Sequence, residues 1–185
     1  MGPTFLALLL PWLVPSGMAA DIAGGNGGFE TNNSASVAPV ATGYWFADQV
    51  VISGWSFSAT ARWFQSSAAA YGAPRSGSYA LDLCSAGNAY TATTQLGGLT
   101  VGSSYRVSFY ASRRNLTASG DSLTVSVDTA GAPTTRIVSC ADLPATGSGN
   151  TSVNYTLQTL DFTATATTHT LSPVSYTHLT LPTKA

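Results

Sequence analysis

Charged residues are scarce in this sequence. Only 8% of the 185 residues are Asp, Glu, Lys or Arg, and the single Lys, Lys184, lies close to the C-terminus. Residues 21–172 hold six Arg and eight acidic residues, so they form no basic stripe that could bind a phosphate backbone. The composition therefore predicts no nucleic-acid partner.

Histidine is almost as rare, which limits the catalytic sites that the chain could build. A serine triad would need His169 beside an activated Ser and a carboxylate, and no G-x-S-x-G elbow is present. We expect His169 to be a partly buried or rim residue. The acidic residues are scattered over predicted strand ends and turns, not paired as glycoside hydrolysis requires. We therefore predict no catalytic residues and no enzymatic activity.

There are only two cysteines, Cys84 and Cys140. Two Cys with His169 cannot complete a tetrahedral zinc shell without carboxylates, so we expect no zinc site. In a secreted chain an even number of cysteines favours a disulfide, which here would close a loop of about 57 residues. Two separate buried thiols are the alternative.

Apolar runs are short. "FLALLLPWLV" near the N-terminus is too short for a membrane span, which needs about 20 residues. The small residues Ala19 and Ala20 follow it, where a signal peptidase could cut. We predict a secretory signal peptide over residues 1–20, although it lacks a basic n-region, and hence an extracellular or cell-surface location. A genuine N-terminal core segment is the alternative.

The C-terminal residues 173–185 have an unusual origin. Back-translated, Val174 to Thr183 looks like the reverse complement of a transposase-type sequencing adapter over its whole length. Segments of this kind are excluded from fold reasoning. We therefore expect the natural sequence to end near Ser172, inside a single domain that begins at residue 21, with any membrane anchor lying further downstream. A genuine polar C-terminal strand is the alternative.

Alternation with a period of two runs through the chain. The segments "SYALDL", "SYRVSFYAS" and "SLTVSVD" each place apolar residues on one face, as half-buried strands do. No stretch has the 3.6-residue apolar period of a helix. In "VNYTLQTLDFTATA" the apolar phase changes between Leu157 and Leu160, which predicts a bulge. About ten short strands separated by Gly- and Pro-rich turns predict an all-β sandwich or jelly roll.

Three segments carry a resemblance to a known family. They are "NGGFE" at 26–30, "ISGW" at 52–55, and "SGSYALDL" followed by "TTQLGGLTVGSSYRVSFYAS". In order and spacing they resemble the secreted galactose-binding-like β-sandwich family of plant cell-wall and bacterial surface proteins. They are more distantly similar to the jelly-roll carbohydrate-binding modules appended to xylanases. The resemblance covers residues 25–172 and implies a galactose-binding-like sandwich whose last strand, reading roughly L-D-N/D-V, is absent from this chain.

The resemblance also implies a metal ligand. In the similar carbohydrate-binding modules the acidic residue of the first segment commonly helps to bind a structural calcium ion, and Glu30 holds that position. Carboxylate and carbonyl oxygens are the ligands that Ca²⁺ prefers. A second carboxylate would come from the absent last strand.

Aromatic and polar residues occur together in three segments, the combination that a sugar-binding site requires. Sugars stack on aromatic faces and bind a few polar groups, and "GYWFADQ", "ARWFQ" and "AAAYGAP" supply both. Three consecutive aromatics cannot all face inward from one strand, so at least one is exposed or packed under a loop. The predicted ligand-binding residues are Tyr44, Trp45, Arg62, Trp63, Gln65 and Tyr71. Core packing is the alternative for Trp45 and Trp63, and we expect Phe29 and Trp55 to be core residues.

The functional prediction is a secreted, non-catalytic module that binds cell-wall or extracellular polysaccharide. It depends largely on analogy at the level of the fold, and one fold hosts many functions. Two alternatives stay open. One is a structural or adhesive surface protein without a glycan site, and the other is the accessory domain of a truncated glycoside hydrolase.

Overall fold

The structure is a computed structural model, and it describes nine parts of the chain. They are residues 14–15, 26–33, 44–46, 50–57, 63–66, 74–83, 90–114, 121–146 and 155–176.

The described residues confirm the all-β prediction. Their only helical element is a single 3₁₀ turn, Cys140–Asp142. The strands are β1 Val14–Pro15, β2 Tyr44–Phe46, β3 Trp55–Phe57, β4 Trp63–Ser66, β5 Tyr79–Asp82, β6 Tyr90–Leu96, β7 Ser104–Ala111, β8 Arg113–Arg114, β9 Ser122–Val127, β10 Thr134–Ser139, β11 Ala145–Thr146, β12 Thr156–Thr163 and β13 His169–Tyr176.

These strands form one large sheet and several small ones. The large sheet has five strands in the order β10-β9-β13-β6-β3, and all its described pairings are antiparallel. A second sheet has the order β1-β7-β12, and a third has the order β2-β4-β5. The short strands β8 and β11 pair in parallel. Consecutive strands often belong to different sheets, as in a sandwich.

The core joins the inner faces of the large sheet and of the β7–β12 pair. In β7 every second residue from Tyr105 to Ala111 is buried, and the buried residues of β9 alternate in the same way. One continuous apolar cluster includes Phe109 of β7 together with Val125 of β9, both fully buried. The predicted period-two strands are therefore confirmed as half-buried strands.

The outer face of the large sheet is lined with hydroxyl groups. Thr135 pairs with Ser126, and Ser126 pairs with Ser172 on the next strand. At the opposite edge of the sheet, Ser56 of β3 pairs with Thr93 of β6. Thr suits this surface because β-branched residues pack well on a pleated sheet, which accounts for the Ser and Thr content of the strands.

The bulge predicted between Leu157 and Leu160 is wrong. Strand β12 pairs with β7 without interruption, from Thr156 opposite Ala111 to Thr163 opposite Ser104. The apolar phase changes because Leu157 faces outward and is 50% exposed, whereas Leu160 is buried. In the sequence, the outward-facing Leu157 produces the same apolar pattern as a bulge would, although the register is continuous.

The "QLGGLTVGSSY" segment forms the connection between β6 and β7. Gly98 and Gly102 have φ values of 71° and 85°, which disfavour residues with a Cβ. Leu99 is buried in the core, and the Tyr105 hydroxyl accepts the Thr100 N–H at 2.8 Å. This part of the resemblance therefore has a structural explanation in turn geometry and core packing.

Two strands include residues from the predicted processing segments. Val14 and Pro15 of β1 lie opposite Arg106 and Tyr105 at one edge of β7. Strand β13 continues past Ser172, and its final residues pair with β9. The signal-peptide boundary and the boundary after Ser172 both stay predictions.

Candidate functional site

The NGGFE segment folds into a turn that is closed by Asn26. Its buried side chain donates from Nδ2 to the carbonyl oxygens of Thr31 and Ser53, each at 2.9 Å. Its Oδ1 accepts the Thr31 N–H at 2.9 Å. The Asn26 carbonyl accepts the indole N–H of Trp55 at 3.0 Å. Asn26 thus joins this turn to the start of β3, and its role is structural.

Phe29 completes the same turn with an unusual backbone. Its φ of 62° lies in the left-handed region, which costs a residue with a Cβ about 1–2 kcal/mol. Its ring is fully buried and lies 5.0 Å from the Trp55 ring, centroid to centroid. Burial of such a ring stabilises the fold by about 1.5–3 kcal/mol, which offsets the strain. The predicted core positions of Phe29 and Trp55 are confirmed.

Glu30 holds the segment that leads into β5. Its Oε1 accepts the backbone N–H groups of Ser78 at 3.0 Å and Tyr79 at 3.1 Å. A Cβ at Gly77 would collide with that oxygen, and the φ of Gly77 is 69°. Glycine is therefore required at position 77 for the carboxylate to reach its two donors.

The predicted calcium site does not fit the described residues around Glu30. Calcium takes about six to eight oxygen ligands, but the described part of the chain contains no group of three His, Cys, Asp or Glu side chains that could hold a metal ion. Two N–H donors already point at Glu30 Oε1. We derive no role for calcium from this arrangement, and calcium binding stays a prediction.

Replacing Glu30 with Ala is expected to lower the free energy of unfolding by about 1–2 kcal/mol, because two amide N–H groups lose their acceptor. Gln keeps an acceptor oxygen, so Glu30→Gln should keep most of that stability. Urea denaturation of the three proteins, with and without calcium, measures the effect. If calcium stabilised the wild type and Glu30→Gln abolished this gain, Glu30 would be a calcium ligand.

His169 is more buried than its sequence predicts, with 3% of its surface exposed. Its Nε2 accepts the backbone N–H groups of Thr165 at 3.0 Å and Ala166 at 3.2 Å. Because Nε2 accepts these two bonds, Nδ1 is the nitrogen that donates to the carbonyl oxygen of Asp128, at 2.6 Å. Nε2 thus holds the connection between β12 and β13, and Nδ1 ties the start of β13 to the end of β9.

The small β2-β4-β5 sheet contains four of the predicted ligand-binding residues. Directly opposite residues share one face of a sheet. Trp45 lies opposite Phe64, which in turn lies opposite Leu81. Leu81 is fully buried in the core cluster. The register therefore assigns positions 45 and 64 to the core face of this sheet.

The other face of the same sheet carries the remaining aromatics. Tyr44 lies opposite Gln65, and Phe46 lies opposite Trp63. These positions alternate with those of the core face, so they belong to the opposite side, which we name the outer aromatic face. Ala80 lies opposite Gln65 on this face and is buried, so the face is covered at that point.

The register thus separates the two predicted tryptophans. It brings three predicted residues to the outer aromatic face, namely Tyr44, Trp63 and Gln65. It assigns Trp45 to the other face. Arg62 and Tyr71 lie outside the described residues.

Sequence reasoning missed a second aromatic on an outward strand face. Tyr110 occupies the polar phase of β7 and is half-buried. The guanidinium carbon of Arg75 lies 3.5 Å from the centroid of its ring, in cation–π contact. An aromatic in the solvent phase of an otherwise regular strand is the signal that could have identified this position.

Arg106, which lies on the same face of β7 as Tyr110, forms an ion pair with Asp161. Arg106 donates to both carboxylate oxygens of Asp161, at 2.6 and 2.8 Å, and these hydrogen bonds lower the pKa of Asp161. Such a carboxylate stabilises the fold above its unfolded-state pKa, and the gain is lost as the pH falls through the folded pKa. Both side chains are more than half exposed, so the contribution is small.

Cys140 begins the 3₁₀ turn and is buried, with its N–H donating to the Asp121 carbonyl oxygen at 2.9 Å. Its predicted disulfide partner, Cys84, lies outside the described residues, and the disulfide stays a prediction. Within the described ranges, no helix has the length and apolarity to cross a membrane.

Comparisons with known proteins add no family assignment. No protein-family model matches the chain, and no curated protein or solved structure is similar to it at a significant level. The residues themselves are therefore the basis for the function proposed below.

Proposed function

We propose that this protein is a secreted, non-catalytic β-sandwich that binds polysaccharide through its outer aromatic face. The observation that carries the proposal is the β2-β4-β5 register, which assigns Tyr44, Trp63 and Gln65 to the face opposite buried Leu81. Three aromatic positions and an amide position on one face of the small sheet suit a sugar, because rings stack on its apolar side and the amide binds its hydroxyls.

The chemistry of His169 supports a binding role over a hydrolytic one. A serine hydrolase needs a His nitrogen free to take the proton of its nucleophile. Both nitrogens of His169 are engaged with backbone groups, at 2.6 Å on one side and at 3.0 and 3.2 Å on the other.

The finer family assignment is part of the same proposal. The NGGFE turn, the β6–β7 connection and the alternating strands agree with a galactose-binding-like jelly roll, in which each segment of the resemblance has a packing role. A signal peptide over residues 1–20 and a Cys84–Cys140 disulfide belong to this proposal as extracellular features.

Trp63→Ala is expected to weaken polysaccharide binding at least tenfold, since an aromatic anchor at the centre of a site contributes about 2 kcal/mol. Its melting temperature should remain near that of the wild type. The matched variant is Trp45→Ala, which should lower the melting temperature because position 45 belongs to the core face. Affinity electrophoresis on soluble xylan, galactan and pectin, beside thermal unfolding, measures both properties.

Two results would contradict the proposal. One is binding that Trp63→Ala leaves unchanged, because the outer aromatic face would then not be the site. The other is a wild-type protein that none of these polymers retards, which would favour a structural or adhesive role. Folded Trp45→Ala with lost binding would place the site on the other face of the small sheet.

A further inference from the structure

Arg75 is an exposed arginine whose guanidinium carbon lies over an aromatic ring. Its guanidinium lies 3.5 Å above the centroid of Tyr110, and the residue itself is exposed. A guanidinium stacked in this way keeps its N–H groups directed outward in its own plane. It makes no hydrogen bond or ion pair with the residues that the structure describes, so its N–H donors are available to a ligand.

Three other described arginines are engaged by protein acceptors. Arg106 is paired with Asp161 through two bonds. Arg113 donates from Nε to the Leu143 carbonyl oxygen at 2.8 Å, and Arg136 donates to the side chain of Gln158 at 3.3 Å. Arg75 differs because its positive charge has no such neutralising contact among the described residues.

The surroundings of Arg75 suit a sugar as well as a charge. Leu157, which is 50% exposed, lies directly opposite Tyr110 on β12 and extends the apolar surface beside the stack. Ser76 and Gly77 next to Arg75 are exposed. The carboxylate of Glu30 binds the backbone of Ser78 and Tyr79 and does not form an ion pair with Arg75. The contact with Tyr110 therefore holds the guanidinium of Arg75 in place before a ligand binds, with its N–H donors next to an apolar surface.

We infer that Arg75, stacked on Tyr110, binds the carboxylate of a uronic-acid unit in the polysaccharide. The planar fork of arginine matches a carboxylate through two parallel N–H···O bonds. The exposed Leu157 beside the stack would support the adjacent sugar ring. This inference rests on the proposed function, and it narrows the ligand to an acidic polysaccharide.

The test uses polygalacturonate and its fully methyl-esterified form, which share a backbone and differ in charge. At physiological ionic strength, where distant surface charges are screened, the wild type should bind the acidic polymer at least tenfold more tightly. Arg75→Gln should remove this preference. Arg136→Gln is the matched control, because it removes one positive charge from an exposed arginine whose side-chain partner, Gln158, is neutral, and it should keep the preference.

Arg75→Lys should recover only part of the preference, since ammonium keeps the charge and loses the planar fork. The inference is overturned if the wild type binds both polymers equally, or if both arginine variants lose the preference equally, as a general electrostatic effect would produce. Equal binding of both polymers that still depends on Trp63 overturns this inference and leaves the proposed function intact. If neither polymer nor neutral xylan binds, both proposals fall.

Discussion

Phe29→Ala is expected to lower the free energy of unfolding by about 3–5 kcal/mol. The ring is fully buried against Trp55, in the turn that Asn26 closes. Its removal leaves a cavity between the N-terminal turn and β3, and Ala keeps the strain of the left-handed backbone. Urea denaturation monitored by the fluorescence of the tryptophans measures the loss.

A second substitution at the same position separates packing from backbone strain. Gly normally destabilises a strand relative to Ala by about 0.5–1 kcal/mol. At position 29 the φ of 62° suits Gly, so Phe29→Gly should be at least as stable as Phe29→Ala. Phe109 is equally buried on the regular strand β7 and serves as the control, where the Ala variant should be the more stable. The same order at both positions would contradict the assigned conformation of Phe29.

Reduction of the oxidised protein is expected to cost about 4 kcal/mol of stability, because a Cys84–Cys140 disulfide would close a loop of about 57 residues in the unfolded chain. Strain in the bond would make the loss smaller. Chemical denaturation with and without a reducing agent measures it. The Cys84→Ser/Cys140→Ser variant controls for other effects of the reductant, and its stability should not change on reduction.

Leu83, the residue before Cys84, and Cys140 itself are both described, and both are connected to β9 or to the residue before it. Leu83, directly before Cys84, is buried, and its carbonyl accepts a hydrogen bond from the Ser175 hydroxyl. Ser175 lies opposite Leu123 in β9. The N–H of Cys140 binds the carbonyl of Asp121, two residues before Leu123. Leu83 and Cys140 are therefore both linked to the N-terminal end of β9, Leu83 through Ser175 and Cys140 through Asp121.

Alkylation distinguishes the disulfide from two separate thiols. Unfolded, non-reduced protein treated with iodoacetamide should take up no label, and reduced protein should take up two. Label on both cysteines before reduction would show that the buried thiols are unpaired, and the expected loss of stability would then disappear.

The strands were predictable because their signal is local. Burial on one side of a strand requires apolar residues at every second position, and the "SYRVSFYAS" and "SLTVSVD" segments show this period directly. The misplaced bulge at Leu157 shows the limit of the same argument. An exposed apolar residue and a shift of phase give identical patterns, and only the continuous pairing of β12 with β7 distinguishes them.

Sequence alone determined that this protein is an all-β chain of low charge, without a basic surface, and with aromatics concentrated near "YWF" and "ARWFQ". Tertiary structure decided which residues meet. Glu30 binds the N–H of a residue 48 positions away, and the strand register assigns Trp63 and Trp45 to opposite faces. Register and long-range contacts depend on how distant strands pair, and a one-residue slip would exchange the two faces. The local pattern cannot contain that information, which is why only the fold separated Trp63 from Trp45 within the predicted set.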